Sequence, residues 1–582
     1  MIKEELKKEI ENILKGLGVV DPVVNFDVPK DEKLGNYSTN VAMVYGKILD
    51  RKPYELALDI EGELCPNKNK WNLLKIKSVE PGFLNFYFNK EYFSENLEKI
   101  LKEKENYGKN QNLSGEKIII EYTDPNPFKE FHIGHLMSNT IGESVSRIIK
   151  ASGAELKRAC YQGDVGMHVA TAVWGLIDTR VSIDTATASN FGQVYAYGVE
   201  KSKDEKIKNE IVEINKHIFD RDDDKINKLY DAARKISLEY FEKIYNRLGT
   251  HFDYFFFESK AGFFGKEIVE KNIGAIFEKS DGAIIFKGEK YDPKIHTRVF
   301  INKEGLPTYE AKELGLAKIK YDLYQYDLSI VVTDSEIREY FKVLLKAMSL
   351  IFPNLAEKTI HLPHGMLKLP DGKMSSRSGN VITAEWLIEE VKKKVLQKMQ
   401  GREDLPRAAL GKLSMTVLDS GQMAEIVAIG AIKYSILHQA IGNDIVFDFD
   451  KSISFEGDSG PYLQYATVRA SSLLARAGLG NLDSNMPRPA LAIQDGWQTI
   501  SLERLLERFP KIVERASLEY APHHIVTYLI ELAGEFNSFY ASHKIIDASD
   551  PTSPYRLALT EAFANVMTTG LDLLGIKVPD QM

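Results

Sequence analysis

Two short motifs carry side chains of the kind that bind phosphates. His132 and His135 flank Ile133-Gly134 at the start of a helical pattern, and far downstream the chain reads Lys373-Met374-Ser375-Ser376-Arg377. Free N–H groups and the positive dipole end favour anions at a helix N-terminus. A cationic loop can close on a departing pyrophosphate. Either motif alone is a weak signal, but together they indicate a site that activates a substrate with ATP.

The histidine pair by itself also fits two simpler explanations, a helix cap or a metal-binding pair. The second motif is what favours nucleotide chemistry. Gly134 is expected to leave room for an adenine ring or a ribose against the backbone, and Lys129 adds a cation to the same entrance. Attack of a carboxylate on the α-phosphate of ATP builds charge on phosphate oxygens. Such a site works by positioning and electrostatics, where one well-placed donor contributes about 3 kcal/mol.

The elements around these motifs predict a parallel sheet. Residues 117–123 (KIIIEYT) read as a buried strand, followed by a Pro-containing loop and a helix that Gly153 would end. This is the opening unit of a parallel α/β domain. Residues of about 177–300 are charged and helical in pattern, which predicts an insertion with solvated helix faces, and the sheet is expected to resume at residues 326–333 (YDLSIVVT).

The two ends of the chain have different patterns. The first part begins with an amphipathic helix and continues with alternating apolar residues in IKSVEPGFLNFYF, which predicts a small α+β module. The last part reads as helix after helix, with apolar residues at helical spacing. The predicted domains are therefore residues 1–110, 111–385 and 386–582, with the polar segment NYGKNQNLSG as the first linker.

Composition sets broad limits. The 582 residues exceed what one core usually supports, and the 44% hydrophobic content fits globular domains. Two cysteines, Cys65 and Cys160, cannot build a disulfide framework or a four-cysteine zinc site. The first residues lack a signal-peptide core, and no apolar run is long enough to span a membrane, so a cytoplasmic location is expected. The net charge of −8 argues only mildly against a nucleic-acid partner, because a local basic surface can exist on an acidic total.

Several longer stretches resemble the arginyl-tRNA synthetases among the class I aminoacyl-tRNA synthetases. The matching stretches are GNYSTNVAM, PGFLNFYF, EYTDPNPFKEFHIGHL, YQGDVGMH, PTYEAKELGLA, SFEGDSGPYLQYA and RLALTEAFANVMTTGLDLLGI. The resemblance covers essentially the whole chain. It implies a multidomain α/β protein: a small N-terminal α+β domain that contacts the tRNA elbow, a Rossmann-like catalytic domain with a helical insertion, and an all-α anticodon-binding bundle.

The resemblance implies ligation of L-arginine to its tRNA in two steps, with ATP and Mg²⁺ as the substrate complex, no zinc, and a tRNA that must bind before the amino acid is activated. A monomer is expected, without DNA or membrane partners. The implied catalytic residues are His132, His135, Lys129 and Lys373. The implied ATP-binding residues are Gly134, Met366, Lys373, Met374, Ser375, Ser376 and Arg377. The implied arginine-binding residues are Glu121, Asn126, Asp164, Tyr309 and Glu313.

A guanidinium group is best held by bidentate, charge-assisted hydrogen bonds, so carboxylates are the expected partners. Tyr309 and Glu313 have the i,i+4 spacing that places both on one side of a helix. For tRNA, cations mixed with aromatic residues in the C-terminal part suit unstacked bases, although most aromatics at helical spacing are core. The candidates are Arg469, Tyr528, Tyr540 and Arg556, with Phe536 and Asn537 also considered and Arg469 and Tyr540 preferred.

Three departures from the family pattern bear on the site. Glu313 stands where the family usually has Asp, and Ile337, beside Glu336, stands where many relatives have a Gln that faces the substrate. Ser376 replaces the second lysine of the class I loop, a loss for which Lys129 is expected to compensate.

Three other functions also fit parts of the sequence. A related class I synthetase is one of them, but cysteine specificity is disfavoured because the zinc thiolates are missing, and lysine specificity is disfavoured because the other stretches do not match. A small-molecule nucleotidyltransferase would have no use for the long C-terminal bundle. A tRNA-binding paralogue without catalysis would not need His132, Gly134, His135 and Lys373 together.

Overall fold

The computed structural model describes residues 2–29, 31–370, 382–400, 420–478, 500–580 and 582. It divides into two compact units. The first contains Met1–Tyr107, Arg469–Phe509 and Leu532–Val566, and the second contains Gly108–Val468, Pro510–Glu531 and Met567–Met582.

The strands, in chain order, are β1 (Tyr37–Thr39), β2 (Leu73–Val79), β3 (Phe83–Phe88), β4 (Lys117–Glu121), β5 (Glu155–Gln162), β6 (Tyr254–Phe257), β7 (Glu278–Ser280), β8 (Ala283–Phe286), β9 (Arg298–Ile301), β10 (Leu328–Asp334), β11 (Thr359–His364), β12 (Leu367–Lys368) and β13 (Ile445–Val446).

The helices, in chain order, are α1 (Ile2–Gly16), α2 (Val41–Gly46), α3 (Pro53–Leu64), α4 (Lys90–Glu103), α5 (Ile133–Ala151), α6 (Met167–Thr179), α7 (Ala188–Lys201), α8 (Glu205–Asp220), α9 (Asp224–Leu248), α10 (Glu258–Lys271), α11 (Tyr309–Leu323), α12 (Arg338–Ile351), α13 (Pro353–Glu357), α14 (Ala384–Gln400), α15 (Ser420–Leu437), α16 (Phe449–Ser452), α17 (Gly460–Arg476), α18 (Ser501–Leu518), α19 (His523–Ser542) and α20 (Ser553–Leu573).

A five-stranded parallel sheet forms the centre of the second unit, with strand order β11-β10-β4-β5-β6. In β4 the three consecutive isoleucines Ile118 to Ile120 are all buried, as expected for a parallel strand covered on both faces. The strand order reverses between β4 and β10, and ligands of such sheets bind beyond the carboxyl ends of the strands at this switch point. Glu121 ends β4 and Asp334 ends β10, so both lie at that edge. The predicted parallel α/β domain is confirmed.

The segment predicted as one insertion, at about 177–300, is composite. It contains α7 to α9, then β6, which pairs with β5 and is a strand of the central sheet. A small antiparallel sheet of β7, β8 and β9 follows. The four residues of β6 (YFFF) are too short to show a strand period between long helices, so only pairing with β5 identifies them.

The antiparallel sheet β1-β3-β2 of the first unit packs its apolar face with α1 and α3 in one core. This confirms the predicted N-terminal α+β module. From Ala384 onward the described residues are almost entirely helical, with β13 the short exception, which confirms the predicted C-terminal helical bundle. No described helix has both the length and the hydropathy needed to cross a membrane.

Candidate active site

The histidine pair forms a reciprocal cap at the N-terminus of α5. His132 is the N-cap residue, and its Nδ1 accepts the backbone N–H groups of Gly134 at 3.1 Å and of His135 at 3.3 Å. In return, Nδ1 of His135 accepts the backbone N–H of His132 at 3.2 Å. The two rings stack with centroids 3.6 Å apart.

This cap determines the protonation state of both rings. Because Nδ1 of each imidazole accepts a backbone N–H, a neutral ring must carry its proton on Nε2. Burial, together with the charge of Lys129, lowers the pKa of His132 to about 4. Burial, with His132 and Lys129 adding to it, lowers the pKa of His135 well below its usual value. At neutral pH the pair therefore presents two neutral Nε2–H donors, which suit phosphate oxygens.

Gly134 is required by the cap itself. A Cβ atom at this position would lie 2.9 Å from both Cε1 and Nδ1 of the His132 ring. The imidazole of His132 thus occupies the space that a side chain at position 134 would need. A side chain at position 134 would push that ring off the helix N-terminus.

Lys129 lies at the same entrance as the two histidines. Its Nζ is 4.6 Å from the centroid of the Tyr195 ring, and burial lowers its pKa. Burial, with the charge of Lys129, also lowers the pKa of His168 to about 3, so His168 belongs to this cluster. The His168 ring contacts the carbonyl of Gly163 through Nε2 at 2.9 Å. Sequence reasoning quoted His168 within a matching stretch but gave it no role.

The chain that follows the second motif returns to the histidine pair. The backbone N–H of Ile133 donates to the carbonyl of Ile382 at 3.1 Å, and that of Ala384 donates to the carbonyl of Phe131 at 2.8 Å. His132 and Thr383 form a β-bridge. The segment that ends the motif loop is therefore fixed beside His132. Lys373, Met374, Ser375, Ser376 and Arg377 themselves lie outside the described residues.

Met366 was expected to contact ATP, and its backbone is already paired. Its N–H donates to Oδ1 of Asp444 at 2.8 Å, and its carbonyl accepts the N–H of Ile445 at 2.8 Å. The residue is 37% exposed. Its side chain therefore remains the part that is open to a ligand.

An acidic pocket lies at the carboxyl ends of β4 and β5. Its charges interact with one another: burial raises the pKa of Glu313 to about 8, and Glu121, Glu258 and Glu310 add to this while Lys320 opposes it. Burial and Glu121 also raise the pKa of Asp124 well above its usual value. The carboxyl groups of the pocket are those of Glu121, Asp124, Glu258, Glu310 and Glu313.

Two buried lysines balance part of this charge. Nζ of Lys320 lies 2.8 Å from Oε2 of Glu121, and both side chains are buried. Lys312 forms a buried ion pair with Glu258. Arg298 lies 3.5 Å from Glu310 at the rim. These three cations were not predicted from the sequence, where the only signal was the helical spacing of Lys312 and Lys320 on α11.

Glu313 differs from the other glutamates of the pocket. Glu121, Glu258 and Glu310 each pair with a cation, whereas the carboxyl group of Glu313 makes no hydrogen bond or ion pair within the described chain. The i,i+4 partner of Glu313 on α11, Tyr309, is 57% exposed at the first position of that helix. Nζ of Lys312 lies 5.1 Å from the Tyr309 ring centroid. A pocket with surplus carboxyl groups and one unpaired glutamate fits a cationic ligand.

Asn126 and Gly163 connect the acidic pocket to the histidine cluster. A Cβ at Gly163 would lie 2.2 Å from Oδ1 of Asn126 and 3.3 Å from Oε1 of Glu258. The carbonyl of Gly163 contacts His168. Only glycine permits this approach, which brings the acidic pocket and the histidine cluster close together.

The Asp164 carboxylate is fully buried and its oxygens are already in use. They accept from Nε of Arg234 at 2.9 Å and from the N–H and hydroxyl of Ser259, each at 2.8 Å. The hydroxyl of Tyr230 lies 3.4 Å away. This geometry favours a role in holding α9 and α10 to the end of β5 over direct contact with a substrate amino group.

Ile337 precedes α12 and packs against an apolar cluster that includes Phe341 and Leu344. It offers no polar group to a ligand. Glu336, beside it, is exposed. Residue 337 therefore cannot make the polar contact expected of a Gln at this position.

The four tRNA candidates fall into two classes. Arg469 is half-buried, with its guanidinium carbon 4.5 Å from the Tyr540 ring centroid and its Nη1 3.4 Å from Oδ1 of Asn537. Tyr528 is 2% exposed, and Arg556 is 6% exposed and paired with Asp550. Phe536 is fully buried and stacks on Phe563. The surface pair of Arg469 and Tyr540 is thus suited to contact RNA, whereas Tyr528 and Arg556 are placed as core.

Three family models match the chain in succession. They are described as "Arginyl tRNA synthetase N terminal domain" at residues 1–88, "tRNA synthetases class I (R), catalytic domain" at residues 96–449, and "DALR anticodon binding domain" at residues 463–582.

Similar proteins and structures carry the same description. The chain is 29% identical over 606 residues to an arginine–tRNA ligase of Treponema denticola and 30% identical over 593 residues to one of Ligilactobacillus salivarius, with 100% of both chains covered in each case. Its structure is similar to that of Thermus thermophilus arginyl-tRNA synthetase, with a TM-score of 0.79 at 23% identity and 100% of both chains covered. For the Plasmodium falciparum enzyme the TM-score is 0.75 at 20% identity, with 100% of this chain and 99% of that one covered.

The catalytic-domain model covers more than half of the chain, and its match includes the histidine pair and the acidic pocket. On the strength of that match and of full-length similarity to arginine–tRNA ligases, this chain belongs to the arginyl-tRNA synthetase family of class I aminoacyl-tRNA synthetases.

Proposed function

We propose that the acidic pocket binds L-arginine and that the cluster of His132, His135 and Lys129 binds the phosphates of ATP, for the ligation of arginine to its tRNA. The observation that carries this assignment is the unpaired Glu313 in a pocket whose other glutamates already have cations. A guanidinium group supplies the missing positive charge with several N–H donors in one plane.

Ligation proceeds in two steps. A carboxylate oxygen of arginine attacks the α-phosphate of ATP, forming arginyl-adenylate while the bond to pyrophosphate breaks. A hydroxyl of the 3′-terminal adenosine ribose then attacks the arginyl carbonyl, so that the ester forms, AMP leaves and the hydroxyl proton is released.

The residues of the cluster act through charge and position. The Nε2–H groups of His132 and His135 donate to phosphate oxygens as charge builds there, and the ammonium of Lys129 adds a positive charge at the same entrance. Donors that are fixed before the reaction stabilise the transition state without reorganising. Both rings are fixed by the backbone bonds of the cap.

The loop with Lys373, Met374, Ser375, Ser376 and Arg377 completes the ATP site in this proposal. Its support is the placement of the segment Ile382 to Ala384 against Phe131 and Ile133, which ends the loop beside the histidines. Met366 contributes its side chain to the nucleotide site. Asn126, next to Gly163, is the group best placed for the α-amino or carboxylate end of arginine.

For the domains, we infer that residues 1–110 contact the tRNA elbow, residues 111–385 carry out the chemistry and residues 386–582 recognise the anticodon. The match to an anticodon-binding family over residues 463–582 supports the last assignment. We further infer Mg²⁺ as a component of the ATP substrate, a monomeric enzyme in the cytoplasm, and a need for bound tRNA before arginine is activated.

The test is ATP–pyrophosphate exchange with each of the twenty amino acids, with and without total tRNA. Exchange with arginine alone, and only when tRNA is present, is the expected result. Exchange with another amino acid would overturn the assignment of the acidic pocket. No exchange with any amino acid would instead favour a tRNA-binding paralogue.

A further inference from the structure

Two tyrosine hydroxyls in the second unit are buried without a partner. The hydroxyls of Tyr161 and Tyr340 make no hydrogen bond to any part of the chain that the structure describes. Tyr161 is the penultimate residue of β5, and Tyr340 lies in the first turn of α12. Buried polar groups are nearly always paired, because burial removes their hydration and nothing else replaces it. Both hydroxyls are therefore available to a ligand group.

Both tyrosine side chains also lie within reach of the charges of the acidic pocket. Burial raises the pKa of Tyr340, and Glu313, Glu310 and Glu258 add to the shift. Burial likewise raises the pKa of Tyr161, with further contributions from Glu258, Glu313 and Tyr340 itself. The backbone of Tyr161 is tied to this edge of the sheet, since its N–H donates to Oδ1 of Asp124 at 2.7 Å. The charges of Glu258 and Glu313 therefore act on both tyrosine side chains.

The chemistry of the pocket determines what the hydroxyls can do. A guanidinium group has five N–H donors and no acceptor, so it is satisfied only by lone pairs. A tyrosine hydroxyl can accept such a donor through its oxygen lone pairs, and negative charge near it favours the orientation in which its own hydrogen points toward the carboxylates. In citrulline a carbonyl oxygen replaces one of the terminal nitrogen groups. That oxygen would meet lone pairs in this pocket.

We propose that the hydroxyls of Tyr161 and Tyr340 bind the guanidinium group of arginine as hydrogen-bond acceptors and determine specificity for arginine over citrulline. The inference rests on the proposed function, since it assigns two further residues to the arginine pocket. It also supplies polar contacts near Ile337, which has no polar group of its own.

The test compares Tyr161→Phe, Tyr340→Phe and the double variant in the full-length enzyme. The readout is tRNA-dependent ATP–pyrophosphate exchange, with KM for arginine, citrulline and ATP and with Tm of the free protein. Each single variant is expected to raise KM for arginine by roughly 10- to 100-fold, the range for a hydrogen bond to a charged group, and to leave KM for ATP unchanged. The ratio of KM for citrulline to KM for arginine is expected to decrease. Tm stays equal or rises, because an unpartnered buried hydroxyl has been removed.

Tyr434→Phe is the matched control. The Tyr434 hydroxyl is also buried and lacks a partner among the described residues, but it lies in α15 with Asp458 as its charged neighbour. Its variant is expected to keep the wild-type KM for arginine. The rise in Tm on adding arginine, measured without tRNA, gives a second reading that does not depend on catalysis.

An unchanged arginine KM in the double variant would overturn the inference, as would a Tm loss that accounts for the change in activity. Failure of the wild-type enzyme to exchange with arginine would overturn the proposed function instead. The two failures are therefore distinguishable within one set of assays.

Discussion

Nδ1 of His132 accepts the backbone N–H of His135, and Nδ1 of His135 accepts the backbone N–H of His132, at 3.3 and 3.2 Å. The two side chains therefore cap α5 and hold each other in one tautomer. The same contacts that stabilise the helix N-terminus leave Nε2 of each neutral ring to carry the proton.

This dual role of His132 can be separated by substitution. Asn is itself a favoured N-cap residue, so His132→Asn is expected to keep the helix cap while losing the Nε2–H donor. The rate of adenylate formation should fall by about 10²–10³-fold, the usual loss for one preorganised donor, with Tm close to wild type. His132→Ala should lose the rate and also about 1 kcal/mol of stability. A His132→Asn enzyme with the wild-type exchange rate would exclude a role for this histidine in ATP activation.

The low pKa values of both histidines predict a flat pH profile where histidine usually titrates. Because burial and Lys129 lower the pKa of His132 to about 4, the ring is neutral from pH 5 upward, and no inflection from this pair is expected in kcat between pH 6 and 7. The folded protein also binds fewer protons at His132 than the unfolded chain between about pH 4 and 6.5, so its stability should rise with pH across that window. Urea unfolding of His132→Asn, compared with wild type from pH 4 to 7, measures this contribution. Equal pH slopes for the two proteins would contradict it.

Arginine affinity is expected to depend on pH because of Glu313, whose pKa is raised and not lowered. Burial and Glu121 raise the pKa of Glu313 to about 8, so the empty pocket holds a proton there at neutral pH, and arginine binding must release it. Affinity for arginine should therefore increase as pH rises towards 8, by at most about tenfold per unit for one proton. The charged groups that act on Glu313 are Glu121, Lys320, Glu258 and Glu310. Lys320 already pairs with Glu121, so it does not take the place of arginine beside Glu313.

The same shift predicts a stability effect. Between about pH 4.5 and 8 the folded protein binds more protons at Glu313 than the unfolded chain, so stability without arginine should fall as pH rises through this window. Glu313→Gln removes the titrating group and should flatten that fall while weakening arginine binding. Isothermal titration of arginine in two buffers of different ionisation enthalpy measures the released proton directly. Binding with no proton release at pH 7 would contradict the assignment.

Lys129 is expected to contribute charge to ATP activation. Lys129→Ala should lower the rate of arginine-dependent exchange by about 10²-fold or more, as for loss of one electrostatic donor, and Lys129→Arg should retain part of it. Lys201→Ala is the matched control, because Lys201 also lies over a tyrosine ring, that of Tyr197, at 5.5 Å but is exposed on α7. An unchanged rate of adenylate formation in Lys129→Ala would remove this residue from the site.

Substitutions in the C-terminal bundle should separate RNA contacts from core. Arg469→Ala and Tyr540→Ala are expected to raise KM for tRNA with little change in Tm. The loss of binding free energy should be about 1–3 kcal/mol, that of one base stack. Tyr528→Ala should cost about 3–5 kcal/mol of stability, because its ring is almost fully buried. Thermal unfolding with tRNA titrations measures both effects. A large loss of Tm in Arg469→Ala would place Arg469 in the core instead.

Local patterns determined much of this protein. The run Ile118-Ile119-Ile120, the helix that starts at Ile133 and the histidine spacing all depend on neighbouring residues, whose periodicity is visible in the sequence. The helical bundle was predictable for the same reason. Tyr309 and Glu313 were chosen from the family resemblance, and the sequence by itself indicated only that the two lie four residues apart on one helix.

Only the tertiary structure decided which charges meet. Lys320 and Glu121 are far apart in the chain and pair because α11 packs against the sheet next to β4. Asp164 accepts hydrogen bonds from Arg234 and Ser259, which lie on two other helices. Burial depends on how all the elements pack together. It raises the pKa of Glu313 and removes the hydroxyl of Tyr340 from solvent. A sequence pattern specifies which groups are present and which face of an element they share. Their desolvation and long-range pairing arise only when separate elements close around them.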